Sequence, residues 1–526
     1  MSATTLPLPA AAGADRYRYR YIIAMTVSLA SVLELLDTSI VNVAIPHMMG
    51  NLGATLDQIA WVSTGYIVAN VIVLPLTGWL SALFGRRRYF AGSIALFTIA
   101  SFFCGNAHTL TQLVAFRILQ GLGGGALLST AQSVLYEVFP PEEYGIAMAI
   151  FGMGVMVGPT LGPTLGGYIT DAWSWPWIFY INLPFGALAF LLTLTYLRDS
   201  RYAVKVQGID WLGLGLLVVG IGALQTLLER GERLDWFASR EIVAFGVISA
   251  LALIALVWHE LTTEHPVIDL RVLASRQLAV GVAFGGMLGV CLYATVFILP
   301  VYLQVLRGYT ANQTGMVILP GALASAFTMA FIGRFRGRYD PRVAITLGVG
   351  VFAASMWMHG HFTTLSGNGD FLLPLILRGI GLGMIFVPLT NLAIAGLPMA
   401  RIPSATGLFN LFRQLGGSIG IAVSATLITR FQAINHARLA EHVTLYDDTT
   451  RERLAAITSR MIAYGTAPGL AGTQAIAVLD GQVARQAMML SFERMFLLFG
   501  LAFVLGLPLL VLMQRGREAP AEAPAH

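Results

Sequence analysis

Fourteen runs of about twenty apolar residues, separated by mostly short polar loops, leave this chain one kind of solvent. They fall approximately at 22–45, 58–81, 89–107, 111–136, 145–169, 177–197, 209–228, 241–260, 278–304, 312–333, 343–362, 371–394, 404–430 and 491–514. A bilayer core about 30 Å thick needs about 20 residues of helix to cross it. Inside the core a helix satisfies its own backbone N–H and C=O groups. The pattern predicts an all-α polytopic membrane protein with 14 transmembrane spans. Charged residues make up only 11% of the chain, against roughly a quarter in soluble domains.

The placement of charge predicts topology. Residues 1–21 form a polar tail ending in Arg16-Tyr-Arg18-Tyr-Arg20, without the apolar stretch of a cleavable leader. This tail, alternate short loops and the tail 515–526 hold 18 of the 32 basic residues, among them Arg86, Arg87, Arg88, Arg198, Arg201, Lys205, Arg334, Arg336, Arg338 and Arg342. The short loops opposite hold only Arg230, Arg233, Arg240 and Arg307. Both termini are therefore expected on the cytoplasmic side. The net charge of +5 follows from this asymmetry and argues against a nucleic-acid partner. Lys205 is the single lysine and no Walker motif occurs, which speaks against ATP hydrolysis. Cys104 and Cys291 both lie inside apolar runs, so no metal site, disulfide framework or cofactor is expected.

The chain repeats itself. Gly78-Trp-Leu-Ser-Ala-Leu-Phe-Gly85-Arg-Arg-Arg88 follows span 2, and Gly333-Arg-Phe-Arg-Gly337-Arg-Tyr-Asp340 follows span 10. Arg117-Ile-Leu-Gln-Gly121 in span 4 matches Arg378-Gly-Ile-Gly-Leu-Gly383 in span 12. In register, these pairs divide the chain into a six-helix half at 22–200, two inserted helices at 201–265 and a second half at 266–514. Substrate paths in such proteins run at the repeat interface.

Span 5 carries Gly152-Met-Gly154-Val-Met-Val-Gly158-Pro159-Thr-Leu-Gly162-Pro163-Thr-Leu-Gly166-Gly167. Gly154, Gly158, Gly162 and Gly166 recur every four residues and make a nearly straight groove for a facing helix. In water such a helix loses about 1 kcal/mol per glycine and about 3 per proline; in lipid, small residues let helices pack closely. The ladder is expected to form a seam between the two halves, with Pro159 and Pro163 shaping a bend.

Chemistry concentrates in span 1. Glu34 and Asp37 stand three residues apart on one helix face, and Thr38 and Asn42 extend the polar strip. A charge at the bilayer centre costs about 2.5–3.5 kcal/mol on insertion scales and marks a functional position by default. Desolvation raises a carboxyl pKa and a nearby cation lowers it. Arg117 is the expected cation, and its row Arg117-Gly121-Gly125-Ser129-Ser133 is small enough for span 1 to lie against. Asp37 is expected to be the principal proton carrier. Glu34 is expected to assist it or to attract cationic substrates, unless it reaches the cytoplasmic interface. Asn42, Gln120, Arg378, Arg413 and Gln414 are candidates for the cavity lining; Arg413 reads equally well as an interface residue with a snorkelling side chain. Trp61, Tyr66, Tyr293 and Phe297 suit either a cavity wall or packing.

Several motifs in order resemble one family. Leu36-Asp37-Thr-Ser-Ile-Val-Asn42-Val-Ala-Ile-Pro46, Arg117 to Gly125, Gly154 to Gly167, Trp177-Ile-Phe-Tyr-Ile-Asn182-Leu-Pro184, Leu234-Asp235-Trp236-Phe237 and Gln414-Leu-Gly-Gly-Ser-Ile-Gly420 are similar to motifs of the fourteen-span drug:proton antiporters of the EmrB/QacA type, within the major facilitator superfamily. The resemblance runs from about residue 20 to 515. It implies a proton-coupled, non-enzymatic exporter of amphiphilic or cationic small molecules in a bacterial inner membrane. It also makes span 5 an antiporter motif, and Gly78, Gly85, Arg86 and Arg87 a cytoplasmic gating loop. A partnership with a membrane-fusion protein and an outer-membrane channel is implied as well. One departure stands out: Ala82 occupies the place of the superfamily's loop aspartate. The residues leave two other readings open, a specific exporter of an endogenous metabolite, lipid or siderophore, and a non-transporting scaffold or receptor. Segment 431–490, placed outside the cytoplasm, is too long for a turn; Leu454, Ile457, Met461 and Ile462 suggest a helical face there.

Overall fold

The computed structural model describes residues 19–202, 208–335 and 338–513. Most of both tails, with Arg16, Arg18, Lys205, Arg336 and Gly337, lies outside them. The described chain has no strand. Its helices are α1 (Arg20–Leu52), α2 (Leu56–Phe84), α3 (Arg86–Gly105), α4 (Leu110–Val138), α5 (Tyr144–Ala172) and α6 (Trp177–Tyr196). The inserted pair is α7 (Trp211–Arg230) and α8 (Arg240–Thr262). There follow α9 (Arg276–Val301), α10 (Ala311–Arg334), α11 (Pro341–His359), α12 (Asn368–Ile394), α13 (Ile402–Ala440), α14 (Asp448–Ala463) and α15 (Pro468–Leu505). All but α14 belong to the 14 elements long and apolar enough to cross a membrane, so this is an integral membrane protein.

Local chemistry starts equivalent helices in the same way. Thr55 and Gln58 form a reciprocal capping box on α2, and Thr310 and Gln313 form the same box on α10. Two orphan backbone donors are satisfied in each. The spacing Thr-x-x-Gln recurs at matching places in the two halves and is a further mark of the repeat.

Packing follows the repeat. In the first half α1 lies against α5, α2 and α3 against α4, and α3 against α6. In the second, α9 lies against α13, α10 and α11 against α12, and α11 against α15. The halves meet along α5 with α10 and along α2 with α13. The inserted α7 packs on both α2 and α13, where Gln225 Nε2 donates to Ser418 Oγ at 2.6 Å and Trp236 Nε1 to Thr426 Oγ1 at 2.8 Å.

The start of α3 and the segment after α10 carry Arg86 to Arg88 and Arg338; their end of the bundle is termed the basic face, the other the distal face. Helices α13 and α15 have 39 and 38 residues. At 1.5 Å per residue each is about 57 Å long, well beyond a bilayer core of about 30 Å. Both outrun the apolar stretches 404–430 and 491–514. They extend past the distal face, and α14 packs on α15. This projection is pinned by Asn435 Nδ2 to Ser491 Oγ (3.1 Å) and by His436 with Asp480 (2.9 Å).

Candidate functional site

Asp37 sits in α1 with no exposed surface, and Arg117, 1% exposed, approaches it from α4. Arg117 Nη1 donates to Asp37 Oδ2 at 2.5 Å. Gln120 Nε2 and Asn182 Nδ2 donate to Oδ1 at 2.9 and 2.8 Å. The guanidinium is itself held: Nη1 reaches Gln120 Oε1 at 2.7 Å, Nε reaches the Val62 carbonyl at 3.1 Å, and the Tyr66 ring centroid lies 3.9 Å from Cζ. Asn182 Nδ2 also donates to Ser101 Oγ at 3.0 Å. A buried ion pair is tolerable only when further hydrogen bonds satisfy its remaining lone pairs and protons, and here α2, α4 and α6 supply them, with Ser101 of α3 holding Asn182. Gln120, expected at the cavity lining, is fully buried inside this network instead. Reading the sequence missed the parts of Asn182 and Ser101, although an asparagine among apolar residues was visible in the span-6 motif.

Glu34 faces elsewhere. One turn before Asp37, its Oε1 accepts from Asn70 Nδ2 of α2 at 2.9 Å, while Oε2 has no partner. It is 4% exposed, so it does not reach an interface. Arg413 belongs to α13 of the second half. That arginine is fully buried rather than snorkelling. Its Nη2 and Nε donate to Asn410 Oδ1 at 3.3 and 3.4 Å, and Nη1 to Tyr293 OH at 3.3 Å. Tyr293 OH in turn donates to Gln414 Oε1 at 3.0 Å. Asn410 Nδ2 crosses to Gln132 Oε1 of the first half at 2.7 Å. Asn42 is exposed and accepts from Ser63 at 3.2 Å.

The glycine ladder corrects its expected place. A methyl group at Gly154 would meet Val32 Cγ2 at 2.7 Å, at Gly158 Leu35 Cβ at 3.0 Å, and at Gly166 Ile40 Cγ1 at 2.8 Å; at Gly162 it would strike Ser39. Every rung faces α1, so the ladder seats α5 on the carboxylate-bearing helix within one half and is not the seam between halves. The seam uses other positions of α5: Gly152 against Met329 and Phe386, and Gly167 against Ala311. Pro159 and Pro163 lie inside the unbroken helix, and Pro159 borders a cavity. A second correction concerns α4. Gly121 and Gly125 press on Tyr66 and Asn70 of α2, not on span 1, and Gly124 is the position against Glu34. A four-residue period identifies a groove and leaves its occupant open.

At the basic face Gly85 takes φ +82°, and a Cβ there would meet the Asp199 carboxylate at 3.1 Å. Arg87 N donates to that carboxylate at 2.9 Å. Arg86 pairs with Glu137 at the end of α4, which also accepts from Ser200 Oγ at 2.6 Å. Glu137 and Asp199 thus bind the loop that has Ala82 where an acid was expected. Gly78 approaches Ser404 at the start of α13, and Gly333 approaches Gly145 at the start of α5, so the repeat shows again in the contacts. Three further bonds tie the halves here: Tyr136 OH to Asn391 Oδ1 (3.3 Å), Thr406 Oγ1 to the Ser129 carbonyl (3.4 Å) and Asn410 to Gln132.

A cavity of about 30 Å³ lies between α5, α9, α10 and α12 and is bordered by Arg378, Ser325, Tyr293 and Thr160. Arg378 is 6% exposed and makes one long hydrogen bond, Nη1 to the Thr295 carbonyl at 3.5 Å. Of the cavity candidates, only Arg378 borders this space; Arg413 and Gln414 bond to Tyr293 on its wall.

Comparison with known proteins matches this architecture. The Major Facilitator Superfamily matches over residues 27–421. The "Fatty acid resistance protein FarB" of Neisseria gonorrhoeae is 36% identical over 488 residues, covering 93% of this chain and 94% of that protein. The "Multidrug export protein EmrB" of Escherichia coli K12 is 35% identical over 478 residues, 90% and 91% of the two chains. The crystal structure of the human organic anion transporter MFSD10 (TETRAN) superposes with a TM-score of 0.57 at 14% identity, over 92% of this chain and 99% of that one, which is a likeness of fold.

Proposed function

This chain belongs to the major facilitator superfamily, and from that premise we propose that it is a proton-coupled secondary exporter of amphiphilic or cationic small molecules, with Asp37 as the principal proton carrier. The observation that carries the reading is the Asp37–Arg117 pair, buried with its hydrogen-bond shell in the middle of a bilayer-spanning bundle. A fixed structural pair is no better there than well-packed apolar residues. A carboxylate that gains and loses a proton changes the charge of the site and the hold on Arg117, Gln120 and Asn182. The ladder transmits that change, because α5 lies directly against α1 and then against α10 of the other half.

In the cycle we propose, the halves rock about the α5–α10 and α2–α13 seams. Substrate enters from the cytoplasm or inner leaflet while Asp37 is ionised; protonation from the outside favours release, and the proton leaves inward. Glu34, with one unpartnered oxygen, attracts cationic substrates or assists protonation. The positive-inside rule supports a cytoplasmic basic face. The interhalf bonds on that face support a state closed toward the cytoplasm, with Gly78 against Ser404 and with Gly85, Arg86 and Arg87 braced on Asp199 and Glu137 of their own half. The bacterial relatives support a bacterial inner membrane, and the distal projection of α13, α14 and α15 offers the surface for a membrane-fusion protein leading to an outer-membrane channel.

Transport by purified protein in liposomes under an imposed pH gradient tests the proposal. Substrate movement that follows the gradient and stops on adding a proton ionophore is expected. Movement indifferent to the gradient removes the coupling, and movement of no compound at all removes export.

A further inference from the structure

Arg117 and Arg378 occupy the same place in the two halves, yet their surroundings differ in one respect. Arg117 has a carboxylate at 2.5 Å and a full set of acceptors. Arg378 has the Thr295 carbonyl at 3.5 Å and no ion pair among the described residues. Its helix contributes no acid near it, and α9, which corresponds to the Asp37 helix, offers a threonine backbone where α1 offers a carboxylate. A guanidinium buried in a bilayer-spanning bundle without a counter-ion is costly, and the repeat shows how cheaply an acid would fill the gap.

A second observation points to the same place. Ser325 of α10 borders the same cavity as Arg378; it is 2% exposed and its Oγ has no hydrogen-bond partner. Buried hydroxyls are nearly always paired. The cavity volume of about 30 Å³ corresponds to about two water-sized groups, the size of a carboxylate head and too little for a whole amphiphile. Its remaining walls include Leu292, Val296 and Leu382.

We propose that Arg378 and Ser325 form a head-group site for an organic carboxylate, the cavity between them taking the head alone. The substrate then supplies the counter-ion that Asp37 supplies to Arg117 in the other half. The guanidinium donates two parallel hydrogen bonds to the carboxylate and Ser325 Oγ a third. Two subsites of opposite sign follow: acids on α1 in the first half, and this arginine in the second. The inference deepens the export reading and rests on it only for the direction in which the bound acid travels.

The test separates binding from transport. Full-length protein in nanodiscs of zwitterionic lipid is titrated at alkaline pH with three probes of one chain length: dodecanoate, dodecanol and dodecyltrimethylammonium. Wild-type protein should prefer dodecanoate over dodecanol by at least about tenfold, the scale of a charge-assisted hydrogen bond. Arg378→Gln should abolish that preference, Arg378→Lys should keep part of it, and Ser325→Ala should reduce it several-fold. Equal binding of dodecanoate and dodecanol by the wild type overturns the proposal without any variant having to fold. So does a dodecanoate preference that survives in Arg378→Gln. Gradient-driven efflux of dodecyltrimethylammonium from liposomes is measured beside it. Efflux without carboxylate preference sinks this site and leaves export standing; carboxylate preference without efflux of any probe does the reverse.

Discussion

Gly162 of α5 lies against Ser39 of α1 so closely that even a methyl group at Gly162 would strike the Ser39 side chain. Asp37 is two residues from Ser39, on the same helix. The glycine ladder and the carboxylate proposed as the proton carrier therefore lie on two helices packed against each other, and a movement of α5 is felt by α1 directly.

Bulk on the ladder should uncouple the protein before it unfolds it. Overpacking a tight contact costs about 1–3 kcal/mol, so Gly158→Val and Gly162→Val are expected to insert normally and to lose most gradient-driven efflux. Gly50, with open space around its Cβ position, is the control: Gly50→Ala should transport as the wild type does. Membrane abundance and liposome efflux together check this; normal efflux by Gly162→Val would refute the contact's role.

Asp37→Asn should abolish the response of transport to the pH gradient and also destabilise the fold. Removing one partner of a buried pair costs about 3–5 kcal/mol because the other charge is left unpaired. Adding Arg117→Gln should recover much of the thermal stability and none of the coupling. Melting temperatures and gradient-driven uptake, measured on both variants, distinguish a proton carrier from a structural pair.

Glu34→Gln keeps an oxygen for Asn70 Nδ2 and should leave stability close to that of the wild type. If Glu34 attracts cations, efflux of a quaternary ammonium probe falls by about tenfold, the scale of one charge-assisted contact, while efflux of a neutral amphiphile changes little. Equal loss for both probes would assign Glu34 to protonation instead.

Glu137→Gln removes the acid that pairs with Arg86 and accepts from Ser200. The basic face should open more readily. Ser404→Cys, placed at the Gly78 contact, reports this through its labelling rate with an impermeant thiol reagent, because Cys104 and Cys291 are buried. Faster labelling in the Glu137→Gln background is expected; an unchanged rate would dismiss the lock.

In the distal projection, Asp447 caps α14. Its carboxylate accepts from Thr450 Oγ1 at 3.0 Å and from the Thr450 N–H at 3.2 Å. The hydrogen bonds from Thr450, first of all from its hydroxyl, hold this carboxyl below the ordinary carboxylate range. A lowered carboxyl stabilises the folded form above the unfolded value, about 3.9, and that contribution fades as pH falls through the lower folded value. The protection factor of the amides at the start of α14, exchange corrected for its intrinsic base catalysis, should therefore be flat across neutral pH and fall only in strong acid. Asp447→Ala should show the lower protection already at neutral pH.

Much of this was readable without coordinates. Fourteen spans follow from run length and polarity, since lipid forces each apolar run into a helix. The pairing of Asp37 with Arg117 follows from the rarity of charge in such runs. The repeat between Gly78–Arg88 and Gly333–Asp340 was visible, and the structure turns it into matching contacts, Gly78 on Ser404 and Gly333 on Gly145. The two capping boxes, at Thr55 and Gln58 and at Thr310 and Gln313, were equally legible and went unread.

The chain alone determined the helices, their number and the charges they bury, because these depend on each segment and its solvent. Only the tertiary structure decided the partners. The ladder faces α1 rather than the other half, Gln120 serves Asp37 rather than the cavity, Glu137 pairs with Arg86 beside Ala82, and Arg378 has no ion pair among the described residues. Within lipid every helix surface is about as apolar as its surroundings, so hydropathy cannot rank neighbours. Close shape fit and a few polar bonds between residues far apart in sequence make that choice.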